Sequence, residues 1–204
     1  MKTVSCMNIE PELLFSYGAE NKLYRHNEMI YREGDHAAYY YQVVKGKVKL
    51  NSYNEEGKEF IHNIVGEKQS FGDAMIFVEN FYVMNAVCIA DAELIRLSKN
   101  NFLNLLKNNP DVSLEMNACL SQRLYFKAIM LQNMSSQNPI IRLEGLLNYL
   151  KSYHDGDCGQ CFPVELTRQQ IANLTGLRVE TVIRTLKKME KQGKLTIKDR
   201  KILY

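Results

Sequence analysis

The chain has 204 residues, 46% hydrophobic and 24% charged, the balance of a folded protein long enough for two domains, which excludes a disordered tail, a collagen and a disulfide knot. No apolar run approaches the roughly 18 residues of a membrane helix, the start MKTVSCMNIEPELL has no continuous apolar signal core, and an odd number of cysteines, 5, suits a reducing compartment; a cytoplasmic protein with no membrane partner is expected. The net charge of +3 is uneven: residues 1–134 carry 14 Lys+Arg against 16 Asp+Glu and residues 163–204 carry 10 against 4, which suggests a polyanion at the basic end.

Residues 8–20 read as a short leading helix. From about Lys22 to Leu97 the pattern changes to short β segments, among them Tyr39–Val44, Lys47–Leu50, Phe60–Val65, Ala86–Ile89 and Glu93–Leu97. Gly34, Gly46, Gly57, Gly66 and Gly72 punctuate them, as in an antiparallel sandwich or roll. A short helix over Lys99–Lys107 stops at Asn108-Asn109-Pro110. A helix from Asp111 to about Met134 follows, roughly 35 Å long at 1.5 Å per residue. Leu120, Leu124, Leu131 and Met134 form a partial heptad seam on it, with Lys127 as the break. Met116, Cys119, Tyr125, Phe126, Ile129 and Met130 make other faces apolar too, so the helix needs cover on more than one side. One face is expected on the β-roll and another on a second copy of the chain.

Ser135-Ser136-Gln137-Asn138-Pro139 breaks the helical pattern and reads as a hinge. Ile140 to Tyr153 is amphipathic again, and His154–Gln160 is a turn-rich loop. The most informative stretch is TRQQIANLTGLRVETVIRTLKKME, residues 167–190. Thr167 is a natural N-cap with Gln170 three positions on. Ile171 and Leu174 make the apolar side of a first helix, Gly176 supplies a tight turn, and Val182 and Leu186 face inward from a second helix that begins near Val179. Arg178, Glu180, Thr181, Ile183, Arg184, Lys187 and Lys188 remain on the outer face. GKLTIKDRKILY then alternates around Asp199-Arg200 and reads as a β-hairpin wing. Cap, turn glycine, basic face and wing together point to a helix-turn-helix that binds double-stranded DNA.

These residues resemble the CRP/FNR family of bacterial transcription regulators, whose helix-turn-helix shows a TRxxIAxxxGxxxETVxRxLxxLExxG pattern close to residues 167–193 here. The resemblance covers essentially the full length. It implies an α+β architecture: a cyclic-nucleotide-binding-like β-roll over residues 1–109, a dimerisation helix over 110–134, a hinge at 135–139 and a winged helix-turn-helix over 140–204. It also implies a homodimer on a palindromic site and RNA polymerase as a partner. Carried over by position, Glu180 and Arg184 stand where the family reads base edges, and Thr167, Gln169 and Thr181 where it touches phosphates. Arg168, Arg178, Lys187 and Lys188 are further candidates for the DNA backbone. The chemistry fits independently: a carboxylate accepts from cytosine N4 and a guanidinium grips guanine O6 and N7. The competing role for Glu180 and Arg184, four residues apart, is a salt bridge along the helix. Val179 and Ile183 depart from both the cyclic-AMP-receptor and the fumarate-nitrate-regulator types, and Ile183 is expected to touch a thymine methyl.

The family's phosphate cassette is only partly present. Gly72 and Asp73 match its start, with Asp73 in place of the ribose-binding Glu, but no Lys or Arg occurs between Lys68 and Arg96. A cyclic phosphate without a counter-charge pays desolvation for little return, so cyclic AMP is not expected as the effector. Lys127 could meet an anionic ligand instead. The effector stays unidentified, with haem left open on His26, His36 or His62. Of the cysteines, only Cys6 lies near the N-terminus, which does not supply an iron–sulfur cluster. Cys88 and Cys119 read as small buried hydrophobes. Cys158-Gly159-Gln160-Cys161 with His154 offers a weak metal or dithiol constellation, and the second reading of the chain is a thiol-redox sensor or protein built on it. There is no Walker loop, no GxSxG and no HExxH, so no enzyme is expected.

Overall fold

The computed structural model describes residues 7–78, 81–152 and 162–204. The chain divides into two compact units, between Ser121 and Gln122. The first begins with α1 (Pro11–Ser16), which is shorter than residues 8–20 because the chain turns at Tyr17-Gly18 and Ala19 N–H closes back on the Leu14 carbonyl at 3.1 Å. The strands β1 (Glu20–Tyr24), β2 (Met29–Tyr31), β3 (Tyr39–Lys45), β4 (Val48–Tyr53), β5 (Glu59–Val65), β6 (Ser70–Phe71), β7 (Asn85–Cys88) and β8 (Ala92–Ser98) follow, with a short helix α2 (Asp73–Ile76) after β6. They form two four-stranded antiparallel sheets, in the orders β1-β8-β3-β6 and β2-β7-β4-β5. The expected antiparallel roll is present. Its shortest pieces, β2, β6 and α2, were not expected, because two to four residues are too few to show a period.

Two clusters fill this unit. One joins Leu14, Tyr40, Ile95, Leu97, Phe102 and Leu105 to Met116 and Cys119. The other is unusually aromatic and joins Tyr31, Tyr41, Phe71 and Tyr82 to Val43, Val48, Ala86 and Leu94. The turn between β3 and β4 depends on Gly46, at φ +93°, where a Cβ would stand 2.4 Å from the Asp91 carbonyl oxygen. Ser98 caps the next helix, α3 (Lys99–Asn108), by accepting from Asn101 N–H. Pro110, whose missing N–H costs nothing in a first turn, opens the long helix α4 (Pro110–Ser135). Met116 and Cys119 bury on the first cluster and Leu120 packs half-buried against it.

The second unit begins within α4. Residues 136–138 interrupt the helix, and α5 (Pro139–Ser152) resumes with Leu143, Leu146 and Leu147 buried. Then come β9 (Pro163–Val164), α6 (Arg168–Thr175), α7 (Val179–Lys191), β10 (Thr196–Lys198) and β11 (Lys201–Leu203). The three strands form one antiparallel sheet in the order β10-β11-β9. Ile171, Ala172, Val182, Leu186, Met189 and Ile202 are buried with the α5 leucines and form the core under α6 and α7. Polar ties fix the edges: Lys194 pairs with Glu144 at 2.5 Å and the Tyr204 hydroxyl donates to Asn148 at 2.8 Å.

Candidate nucleic-acid interface

Helix α6 starts where its sequence demands. Thr167 Oγ1 accepts from Gln170 N–H at 3.1 Å, and Thr167 N–H donates to Gln170 Oε1 at 2.9 Å, a complete capping box. The helix ends at Gly176, φ +67°, a left-handed conformation that costs a glycine little. Leu177 N–H then bonds the Ala172 carbonyl, and α7 leaves from Arg178 in an extended conformation. The buried residues of α7 repeat every three or four positions: Val182, Leu186 and Met189, with the polar Thr185 among them. The same spacing leaves Glu180, Ile183, Arg184, Lys187 and Lys188 exposed, with Thr181 half-buried at the margin. No ion pair joins Glu180 to Arg184 among the described residues, so both head groups face solvent.

The other residues expected at the DNA backbone are less uniform. Thr167 and Gln169 are exposed, but Gln169 Nε2 also donates to Asn173 Oδ1 at 2.9 Å. Arg178 is exposed at the start of α7. Arg168 is half-buried, and its guanidinium donates to the Arg200 carbonyl at 3.1 Å. Partial burial lowers its pKa, though an arginine stays charged. The bond ties the first helix to the wing turn, where Asp199 and Arg200 both take positive φ. Sequence reasoning missed this strut, and also the exposed Lys198, Arg200 and Lys201 around the wing, although the alternating pattern of the wing was the available signal.

Of the seam residues, Leu124 and Leu131 are each 72% exposed, and Leu114, which the sequence reading omitted, is 67% exposed. Leu120 and Met134 are half-buried instead. Lys127 is exposed on α4. In the roll, Asp73 is 1% exposed, and its carboxylate accepts from Ser70 Oγ at 2.9 Å and from Ala74 N–H at 2.8 Å. Gly72 lies beside Tyr41 and the Tyr39 carbonyl. Cys88 and Cys119 are buried free thiols, as expected, and burial pushes the Cys88 thiol up to about 11. His26 and His36 are exposed, with the His36 ring against Phe81, and His62 Nε2 is bonded to Ser52 Oγ at 2.8 Å. Two of the three histidines the sequence offered to haem thus stand exposed and the third is bonded to Ser52, so these three, as placed, form no haem site. His154, Cys158 and Cys161 lie outside the described residues, as does Cys6. Among the described residues, no group of three His, Cys, Asp or Glu is placed to hold a metal ion, and no helix is long and apolar enough to cross a membrane.

A β-roll, a long helix and a winged helix-turn-helix with an open basic recognition face define a DNA-binding transcription regulator. Residues 21–109 match the cyclic nucleotide-binding domain and residues 141–204 match the Crp-like helix-turn-helix domain. The chain is 30% identical over 162 residues to the cAMP-activated global transcriptional regulator CRP of Pasteurella multocida, covering 78% of this chain and 77% of that protein. It is 29% identical to the cyclic AMP receptor protein of Thermus thermophilus, covering 90% and 82%. In fold it is similar to CooA from Carboxydothermus hydrogenoformans, with a TM-score of 0.78, 20% identity and 96% and 87% coverage. It is likewise similar to FixK2 from Bradyrhizobium japonicum, at 0.76, 22% and 91% of each chain. The chain belongs to the CRP/FNR family of transcription regulators, which act by binding DNA and not by catalysis.

Proposed function

We propose that this protein is a cytoplasmic homodimer that binds a palindromic DNA site, reads bases with Glu180, Ile183 and Arg184, and acts on RNA polymerase from there. One observation carries the reading: the outer face of α7 holds a carboxylate, a guanidinium and two ammonium groups in solvent, over a fully buried apolar face. Arg184 grips guanine O6 and N7, Glu180 accepts from a cytosine N4, and Ile183 lies against a thymine methyl. Thr167, Gln169, Arg178, Thr181, Lys187 and Lys188 serve phosphates, which fix the register and carry no sequence information. Arg168 reaches the backbone in part through the wing, because its guanidinium is shared with the Arg200 carbonyl. The dimer runs along α4, where Leu114, Leu124 and Leu131 stand exposed at spacings of ten and seven. Control comes through the roll and not from cyclic AMP: the segment from Ser70 to Ile95 offers no cation to a phosphate, although the relatives named above are cyclic-AMP proteins.

Selection from a pool of random duplexes, with light scattering of the free protein, tests this. The expected result is a dimer and recovered sites that are palindromic, with half-site centres about 34 Å apart, one helical turn. A monomer with or without DNA, or a pool that stays random, would contradict it.

A further inference from the structure

The wing turn breaks two local rules at once. Lys198 pairs with Lys201 across β10 and β11, so the turn between them is the dipeptide Asp199-Arg200. Both turn residues take positive φ, +49° and +63°. A two-residue turn of this hand favours glycine at its second position, and an arginine there crowds its Cβ against the backbone. The like charges of Lys198 and Lys201 stand directly opposite each other, which weakens a strand pair. Lys198, Arg200 and Lys201 are all exposed, and no ion pair joins them to a carboxylate among the described residues. Neither choice helps the hairpin to fold, and such conflicts gather where a surface is built for a partner.

The turn is held from outside the hairpin. Arg168, the first residue of α6, donates from its guanidinium to the Arg200 carbonyl at 3.1 Å. On the other side, the Glu190 carboxylate of α7 accepts from Ile197 N–H at 2.8 Å. The wing thus hangs on both helices of the helix-turn-helix. A charged donor on the carbonyl of the strained residue offsets the cost of its conformation.

We propose that Arg168 is a positioning residue of the wing: its guanidinium holds the strained turn 198–201, so that Lys198, Arg200 and Lys201 meet phosphates of the DNA backbone. The inference deepens the DNA-binding reading and rests on it. Three exposed cations around one turn complement a polyanion, and DNA is the polyanion that the outer face of α7 addresses.

The test uses the full-length protein and its selected duplex, with Kd read by fluorescence anisotropy over a series of salt concentrations. Lys198→Ala/Lys201→Ala is expected to lower the slope of log Kd against log salt by about 1.8, two phosphate contacts at about 0.9 each, and to keep the parent's site preference. Arg168→Ala is then measured in two backgrounds, because Arg200→Gly lets the turn take positive φ without strain and leaves the strut little to do. The expected loss is about tenfold in the parent and less than about threefold in the Arg200→Gly protein. An Arg168 that bound a phosphate by itself would cost the same in both backgrounds, and that result would overturn the inference. An unchanged salt slope in the lysine variant would overturn it too; that variant alters only exposed side chains and carries the test if Arg168→Ala does not fold. Both outcomes leave the DNA-binding reading standing, since the parent still binds its duplex. A parent that binds no duplex would overturn that reading and this inference together.

Discussion

The outer face of α7 and the interior of the roll are opposites in how they treat their polar groups. On α7, Glu180, Arg184, Lys187 and Lys188 stand in solvent over a buried apolar face. In the roll, Asp73 and Tyr82 are buried and their polar atoms are bonded within the chain. Water-facing charged groups are available to a partner, whereas buried and satisfied ones resist any ligand that must break their bonds. One unit is thus built for a partner of opposite charge, and the other is closed on itself.

If the roll is closed by packing, removing a ring should hurt it most. Phe71→Ala takes away a side chain that is 2% exposed and stacked on Tyr41, and should cost about 3–5 kcal/mol in urea unfolding followed by a signal from the roll. A loss below about 1 kcal/mol would mean that the interior is loosely filled and could admit a ligand.

Alkaline pH attacks the same cluster. Burial raises the hydroxyl pKa of Tyr31, Tyr41 and Tyr82, that of Tyr82 to about 12 from an ordinary 10.0. The folded state therefore holds these protons more tightly than the unfolded one. The contribution of Tyr82 is complete below pH 10 and is lost as pH rises through about 12, on the order of 3 kcal/mol, and those of Tyr31 and Tyr41 also begin to fall above pH 10. Urea midpoints across that window, with tyrosinate absorbance, should show the fall. A midpoint already falling well below pH 10 on account of these groups would contradict their burial.

In the other unit, Thr167→Ala removes the side-chain half of the capping box and should cost about 1 kcal/mol, read as a lower melting temperature of the DNA-binding unit. The smallest effect belongs to Lys187. As a phosphate contact, Lys187→Ala should weaken all duplexes alike and lower the slope of log Kd against log salt by about 0.9. A change confined to one base sequence would instead make it a reading residue.

The two regions also differ in how far the sequence revealed them. The helix-turn-helix was legible because its signals are local: Thr167 and Gln170 are three residues apart, and Gly176 sits at the turn itself. The strands of the roll were legible from alternation and turn glycines, but its filling was not. Tyr31, Tyr41, Phe71 and Tyr82 come from four separate segments, two of them in one sheet, one in the other and one outside the strands, and only tertiary packing brings the rings together. Arg168 likewise meets a carbonyl 32 residues away, which no periodicity shows. On α4, apolar residues lie nearly all round. Spacing alone did not separate Leu120, which packs on the roll core, from Leu124 and Leu131, which stand open.

The central claim, that α7 reads sequence through Arg184, is tested most directly by selecting sites from random duplexes with the parent protein and with Arg184→Ala. The account predicts that the variant loses its preference at one G·C pair in each half-site, at a cost of about 1–3 kcal/mol per half-site, and keeps its preference elsewhere. An Arg184→Ala protein that binds every sequence more weakly but selects the same site would contradict it.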